Sequence, residues 1–93
     1  MPRHAQTESP AARLKRMTMR SWRRGTKEMD LILGPYADAH VAQMDEAALC
    51  AFDALLEEAD TDLLPWIMGQ NAVPDAHAAL IATIGTFART RFG

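Results

Sequence analysis

The stretch Arg23-Arg24-Gly25-Thr26-Lys27-Glu28-Met29-Asp30, RRGTKEMD in one-letter code, is where the chain turns a corner and changes sign. Gly25 fits the left-handed position that closes many helices, and Arg23 and Arg24 just before it complement the negative end of a helix dipole. Thr26 can cap a following helix, with Glu28 and Asp30 near its positive end. Two readings stay open at this point. The segment is either a helix end, a helix start and a solvated Arg24–Glu28 ion pair worth about a few tenths of a kcal/mol, or it is a working surface.

Working outward, the residues on both sides follow helical spacing. Upstream, Ser9 and Pro10 read as the cap and first turn of a helix. Leu14, Met17, Thr18, Ser21 and Trp22 follow on one face, of which only Leu14, Met17 and Trp22 are strongly apolar, giving a narrow apolar stripe on a broad cationic helix. Downstream, Met29, Ile32, Leu33 and Tyr36 recur at i, i+3, i+4 and i+7, with Ala37, His40 and Val41 extending the stripe. Gly34-Pro35 interrupts this second helix and predicts a kink or brief break with the same face still buried. A third helix begins near Asp45 and carries Ala48, Leu49, Phe52, Leu55, Leu56 and Ala59 on one face, and Glu46, Asp53, Glu57 and Glu58 on the other. Asp60-Thr61-Asp62 reads as a capping cluster for a short fourth helix, with Pro65 in its first turn and Gly69 at its end. Pro74 and Asp75 open the last helix, whose core face is His77, Leu80, Ile81, Ile84, Phe87 and Ala88. No segment alternates with period 2. The sequence predicts an all-α, compact bundle of four to five short helices in a single domain. A flexible tail over residues 1–9 precedes the helical domain over residues 10–93.

A chain of 93 residues, 48% hydrophobic and 24% charged, has room for one core. No apolar run is long enough for a membrane-spanning helix, and the single cysteine, Cys50, excludes an intrachain disulfide. The net charge of −2 hides an asymmetry. Residues 1–27 carry eight of the ten Lys and Arg against one acid, whereas residues 28–88 carry eleven acids and no Lys or Arg. The basic segment could dock an acidic partner, or fold over the acidic segment and neutralise it.

The inventory for catalysis is poor. His4, His40 and His77 form no helical metal-ligand pair, and His40 reads as a core-edge histidine. Cys50 lies mid-helix in an apolar and acidic setting, and reads as an inert, partly buried thiol. No glycine-rich phosphate loop is present. Nothing points to a self-sufficient enzyme or a metal site. The basic first helix and the glycine turn give the alternative of a small nucleic-acid-binding or regulatory module. Against it, the second helix opens Lys27-Glu28-Met29-Asp30-Leu31-Ile32-Leu33, acidic and apolar where base-reading groups belong, and the pI is near 5.8.

Arg24-Gly25-Thr26-Lys27-Glu28 has the form R-G-x-x-E, followed by Met29-Asp30 and an apolar run to Gly34-Pro35. Leu55-Leu56-Glu57, Asp60-Thr61-Asp62-Leu63-Leu64 and Trp66-Ile67-Met68-Gly69 come at fitting distance. Over about residues 10–90 the chain thereby resembles the flavinylation factors of succinate dehydrogenase, called SdhE in bacteria and succinate dehydrogenase assembly factor 2 in mitochondria. The resemblance implies a small helical assembly factor, not itself an enzyme. It implies binding to the flavoprotein subunit of succinate dehydrogenase, and in some bacteria of fumarate reductase. It also implies promotion of covalent FAD attachment to a histidine of that partner. No cofactor is then expected in the factor itself. The motif maps onto Arg24, Gly25 and Glu28, with Asp30 beside it. Arg24 and Glu28 are expected to contact the flavoprotein, with Arg16, Arg20 and Arg23 as a supporting basic surface. Trp66 belongs to the second motif, although burial of its indole is reason enough for it. A monomeric protein of the bacterial cytoplasm is expected, in preference to the mitochondrial matrix.

Overall fold

The computed structural model describes residues 8–92. Among the described residues five α-helices follow one another: α1 (Pro10–Trp22), α2 (Lys27–His40), α3 (Glu46–Leu56), α4 (Asp60–Ile67) and α5 (Asp75–Phe92), with a 3-10 turn at Val41–Gln43. No strand occurs among the described residues, and the architecture is the all-α bundle that the spacing predicted. Residues 1–7 of the expected tail lie outside the described residues, as does Gly93.

The helix starts follow local chemistry. The Ser9 hydroxyl accepts from the Ala12 N–H at 3.1 Å, with Pro10 in the first turn of α1. Thr26 accepts from the Met29 N–H at 3.3 Å and Asp45 from the Ala48 N–H at 2.8 Å. Each side-chain oxygen satisfies a backbone donor that the first turn leaves without a partner. Between α1 and α2 the backbone reaches φ 110° at Gly25, a region from which a Cβ would exclude most residues.

Helix α2 is the centre of the fold. Met29, Ile32, Leu33, Tyr36 and Ala37 are buried along it. Tyr36 packs edge-on to Phe52 of α3 and Phe87 of α5, at centroid distances of 5.6 and 5.4 Å. His40 sits at the core edge against Tyr36 and Phe87. Met17 and Ser21 of α1, Leu55 and Leu56 of α3, Leu63 of α4 and Ile84 of α5 are also fully buried. At about 1.5–3 kcal/mol for each large apolar side chain, this burial holds the five helices together. Helix α2 remains continuous through Gly34-Pro35, so the brief break that the sequence allowed does not occur, and the same face stays buried as expected. Both residues are buried, and tertiary packing holds helical backbone across the missing proline N–H.

Four local expectations change. Helix α4 begins at Asp60, so its cap is Ala59, which has no side-chain oxygen to offer. Pro65 consequently falls inside the helix, beyond its first turn. Ala59 itself is exposed and lies outside α3. Asp60 instead occupies the first turn of α4, where its carboxylate pairs with Arg24. Cys50 is exposed, because it lies on the outer face of α3 towards Arg13. Trp66 is half-buried against the core and the ring of His77, in keeping with a packing role.

Gly34 answers to a neighbour that sequence spacing did not reveal. A Cβ built there would lie 2.3 Å from Cδ2 of the Trp22 indole. The Trp22 Nε1–H donates to Asp38 at 3.2 Å and fixes the ring over the helix. Gly34→Ala gains about 1 kcal/mol of helix propensity but displaces an aromatic ring, which costs about 1–3 kcal/mol or more. The steric term wins because a ring face has no flexible end to swing away. Thermal denaturation followed by circular dichroism is expected to give a lower Tm for Gly34→Ala; an unchanged or higher Tm would contradict this packing.

Candidate functional site

The corner between α1 and α2 is built from residues that point in two directions. Arg24 turns inward, with its side chain only 7% exposed. Its Nε donates to Asp60 at 2.9 Å, and its two terminal nitrogens donate to the Leu56 and Glu58 carbonyls, each at 2.7 Å. Those carbonyls lie where α3 ends, and Asp60 lies where α4 begins. One guanidinium therefore closes the α3–α4 junction and ties the α1–α2 corner to it, using the forked donors that lysine lacks. Asp30 also points inward, accepting the Arg24 backbone N–H at 2.6 Å.

Gly25 and Glu28 point the other way. Both are exposed, and Glu28 makes no hydrogen bond or ion pair with the described residues. The Arg24–Glu28 ion pair that local spacing offered is absent, because Asp60 takes the guanidinium. Around Gly25 a Cβ would meet nothing nearer than Asp60 Oδ2 at 3.9 Å. Backbone conformation, not crowding within the chain, is what requires glycine. Of the four expected motif residues, two form scaffold and two are displayed.

The supporting basic surface is divided as well. Arg16 forks onto Asp53 with two contacts of 2.8 Å and also holds Glu8 at 2.7 Å. Arg13 meets Glu46 at 2.8 Å, and Arg20 meets Glu57 and the Leu56 carbonyl. The Arg16–Asp53 and Arg20–Glu57 pairs are both 37 residues apart, which makes α1 and α3 run parallel. The basic segment thus folds over the acidic one and neutralises much of it. Lys15, Arg23 and Lys27 remain exposed to water.

These pairs carry a pH dependence. The Arg16 guanidinium holds the Asp53 carboxyl below the usual carboxylate range, chiefly through their hydrogen bonds, against the opposing effect of burial. A carboxyl depressed in the folded state contributes stability that is present above its unfolded pKa, about 3.8, and is lost as pH falls through the folded value. With both groups about a quarter exposed, the contribution is about 1 kcal/mol. Asp53→Asn is expected to lower Tm at pH 7 and to flatten the loss of Tm below pH 4. Melting curves from pH 2 to pH 7 check this; parallel profiles for the two proteins would contradict it.

Beside the displayed half of the motif lies an apolar groove of about 600 Å³. Glu28, Leu31 and Ile32 of α2, Leu64 and Met68 at the end of α4, and Ala88 and Arg89 of α5 line it. Leu31 is 41% exposed and Met68 60% exposed, the latter just before Gly69, whose φ of 77° turns the chain. Sequence spacing had assigned Met68 to the short helix and left Leu31 off the core stripe, but had not joined them. No group of three or more His, Cys, Asp and Glu side chains among the described residues is placed to hold a metal ion. No helix among them is long and apolar enough to cross a membrane.

The described residues thus form a small helical bundle in which a buried Arg24 clamp and an exposed Glu28 lie beside an apolar groove. Comparison with known proteins supplies the family. The family model described as the flavinator of succinate dehydrogenase, Sdh5, matches residues 15–88, and the chain belongs to this family. It is 38% identical over 63 residues to the FAD assembly factor SdhE of Aliivibrio fischeri, covering 67% of this chain and 73% of that protein. It is 30% identical over 79 residues to the mitochondrial succinate dehydrogenase assembly factor 2 of Mycosarcoma maydis, covering 85% of this chain and 33% of that protein. A third relative, the FAD assembly factor SdhE of Acetobacter pasteurianus, is 32% identical over 73% of this chain and 62% of its own length. The chain therefore spans a third of the Mycosarcoma protein and under two-thirds of the Acetobacter one. The relatives include bacterial and mitochondrial proteins. No solved structure gives a significant match.

Proposed function

We propose that this protein is an assembly factor that binds the flavoprotein subunit of succinate dehydrogenase and promotes covalent attachment of FAD to it. Family membership over residues 15–88 carries this reading. Bond formation belongs to the flavin and the partner's histidine, and FAD is the partner's cofactor. What this chain contributes is binding energy that favours one conformation of the partner. Arg24 and Asp30 hold the corner, so that Gly25 offers its backbone without a Cβ and Glu28 offers a carboxylate that has no partner among the described residues. A rigid presentation reduces the ordering cost of docking. Arg23, which remains exposed, would assist encounter, whereas Arg16 and Arg20 act mainly within the chain. That internal pairing weakens the alternative of a nucleic-acid module, which needs those cations free.

The test is flavin fluorescence of the denatured flavoprotein subunit in a gel, after expression with and without this protein. Denaturation removes flavin that is not covalently bound. A band that depends on the protein supports the reading, and bands of equal intensity contradict it. The flavoprotein of fumarate reductase is the second client to assay in the same way.

A further inference from the structure

The groove beside Glu28 is large and apolar, and nothing in the proposed role of the motif explains it. Four large hydrophobic residues among those described are notably exposed: Met19, Trp22, Leu31 and Met68. Trp22 is accounted for by Gly34 and Asp38. Leu31 and Met68 stand together on the walls of one groove, contributed by different helices. Leu31 follows Glu28 by three residues, so the two share a face of α2. Their exposure favours association with another apolar surface. The unbranched thioether of Met68 can adapt to the shape of an incoming group.

The rim fixes the polarity of the occupant. Glu28 supplies negative charge at the α2 side. Arg89 supplies positive charge at the α5 side, where its guanidinium is steered by Thr86 Oγ1 at 3.4 Å and crowds close to Gly85. The floor between them, with Ile32, Leu64 and Ala88, offers no charge.

We propose that this groove receives an apolar side chain of the flavoprotein subunit, inserted between Leu31 and Met68. The inserted segment carries a cationic or hydrogen-bond-donating group facing Glu28 and an acidic or accepting group facing Arg89. This rests on the assembly-factor reading and deepens it: the groove supplies affinity and register, while Glu28 acts where the groove meets the motif. Continuity with Glu28, which lines the groove and belongs to the motif proposed to face the flavoprotein, assigns the groove to the same partner. Leu31 and Met68 are accordingly binding residues whose contacts are the same throughout flavin attachment.

The experiment compares wild type, Leu31→Ser/Met68→Ser and Glu28→Ala for binding to the isolated flavoprotein subunit by calorimetry, and for the rate of covalent flavin formation at saturating factor. Both groove residues are exposed, so the double variant is expected to melt like wild type. Its affinity should fall about 10- to 100-fold, as for loss of apolar contacts central to an interface, while the rate at saturation stays within about twofold because uniform binding does not alter the bound step. Wild-type affinity in the double variant, with binding or attachment impaired in Glu28→Ala, would overturn the groove and leave the assembly-factor reading standing. Failure of wild type to bind the subunit or to promote attachment would overturn both. Sedimentation of the free proteins supplies the other occupant: a dimer seen for wild type and lost in the double variant would assign the groove to self-association and overturn the proposal.

Discussion

Arg24→Ala is expected to lower the unfolding free energy by about 3–5 kcal/mol, the usual scale for removing one partner of a buried charge pair. The side chain is 7% exposed and serves three acceptors on two other segments. Removing it leaves Asp60 without its ion pair and the Leu56 and Glu58 carbonyls without those donors at the α3–α4 junction. For a domain of this size Tm should fall by roughly 15–30 °C. Arg24→Lys should recover only part of the loss, since an ammonium cannot reproduce the guanidinium fork. Calorimetric melting of the three proteins checks this. A Tm for Arg24→Ala within a few degrees of wild type would mean that the inward contacts contribute little.

Glu28→Ala should do the reverse. Glu28 is exposed and unpaired among the described residues, so only its favourable position at the start of α2 is lost, about 0.5 kcal/mol. Covalent flavin attachment to the partner subunit should fall by about 10- to 100-fold, the scale of losing a central charged contact. Glu28→Gln, which keeps shape and hydrogen bonding but not charge, separates contact from charge. Retention of activity in Glu28→Gln would assign the side chain a hydrogen-bonding role. Loss in both variants would assign it a charge-dependent one.

How much of this was legible in the sequence depends on the range of the interaction. Ser9, Thr26 and Asp45 cap backbone groups within three residues of themselves, and their roles could be read directly. The core stripes of α2, α3 and α5 also follow from spacing, because burial repeats every three or four residues. What was hidden joins distant segments. Asp60 looked like a cap because nothing local indicates that Arg24, 36 residues away, meets it in the first turn of α4. Gly34 looked like a helix breaker because its reason, the Trp22 ring, lies on another helix. A signal for the pairing of α1 with α3 was available: Arg16 and Arg20 repeat the four-residue spacing of Asp53 and Glu57. Such matched charge spacing suggests two helix faces that can pair, but only the fold selects the partner helix and its direction.

The R-G-x-x-E pattern was recognisable as a unit, yet its division of labour was not. Arginine and glutamate four residues apart invite a local ion pair. A residue's direction at a corner is set by the backbone at Gly25 and by the competing acid at position 60. The same pattern can therefore combine a buried clamp and a presented carboxylate.

The central claim is that the motif stabilises through Arg24 and acts on its partner through Glu28. The most direct measurement is the amount of covalent flavin formed on the purified flavoprotein subunit with Glu28→Ala, at a temperature where melting curves show that variant to be as fully folded as wild type. The account predicts that flavin attachment falls sharply while the fold is unchanged. Attachment at the wild-type level by a folded Glu28→Ala protein would contradict it and reduce the corner to a structural turn.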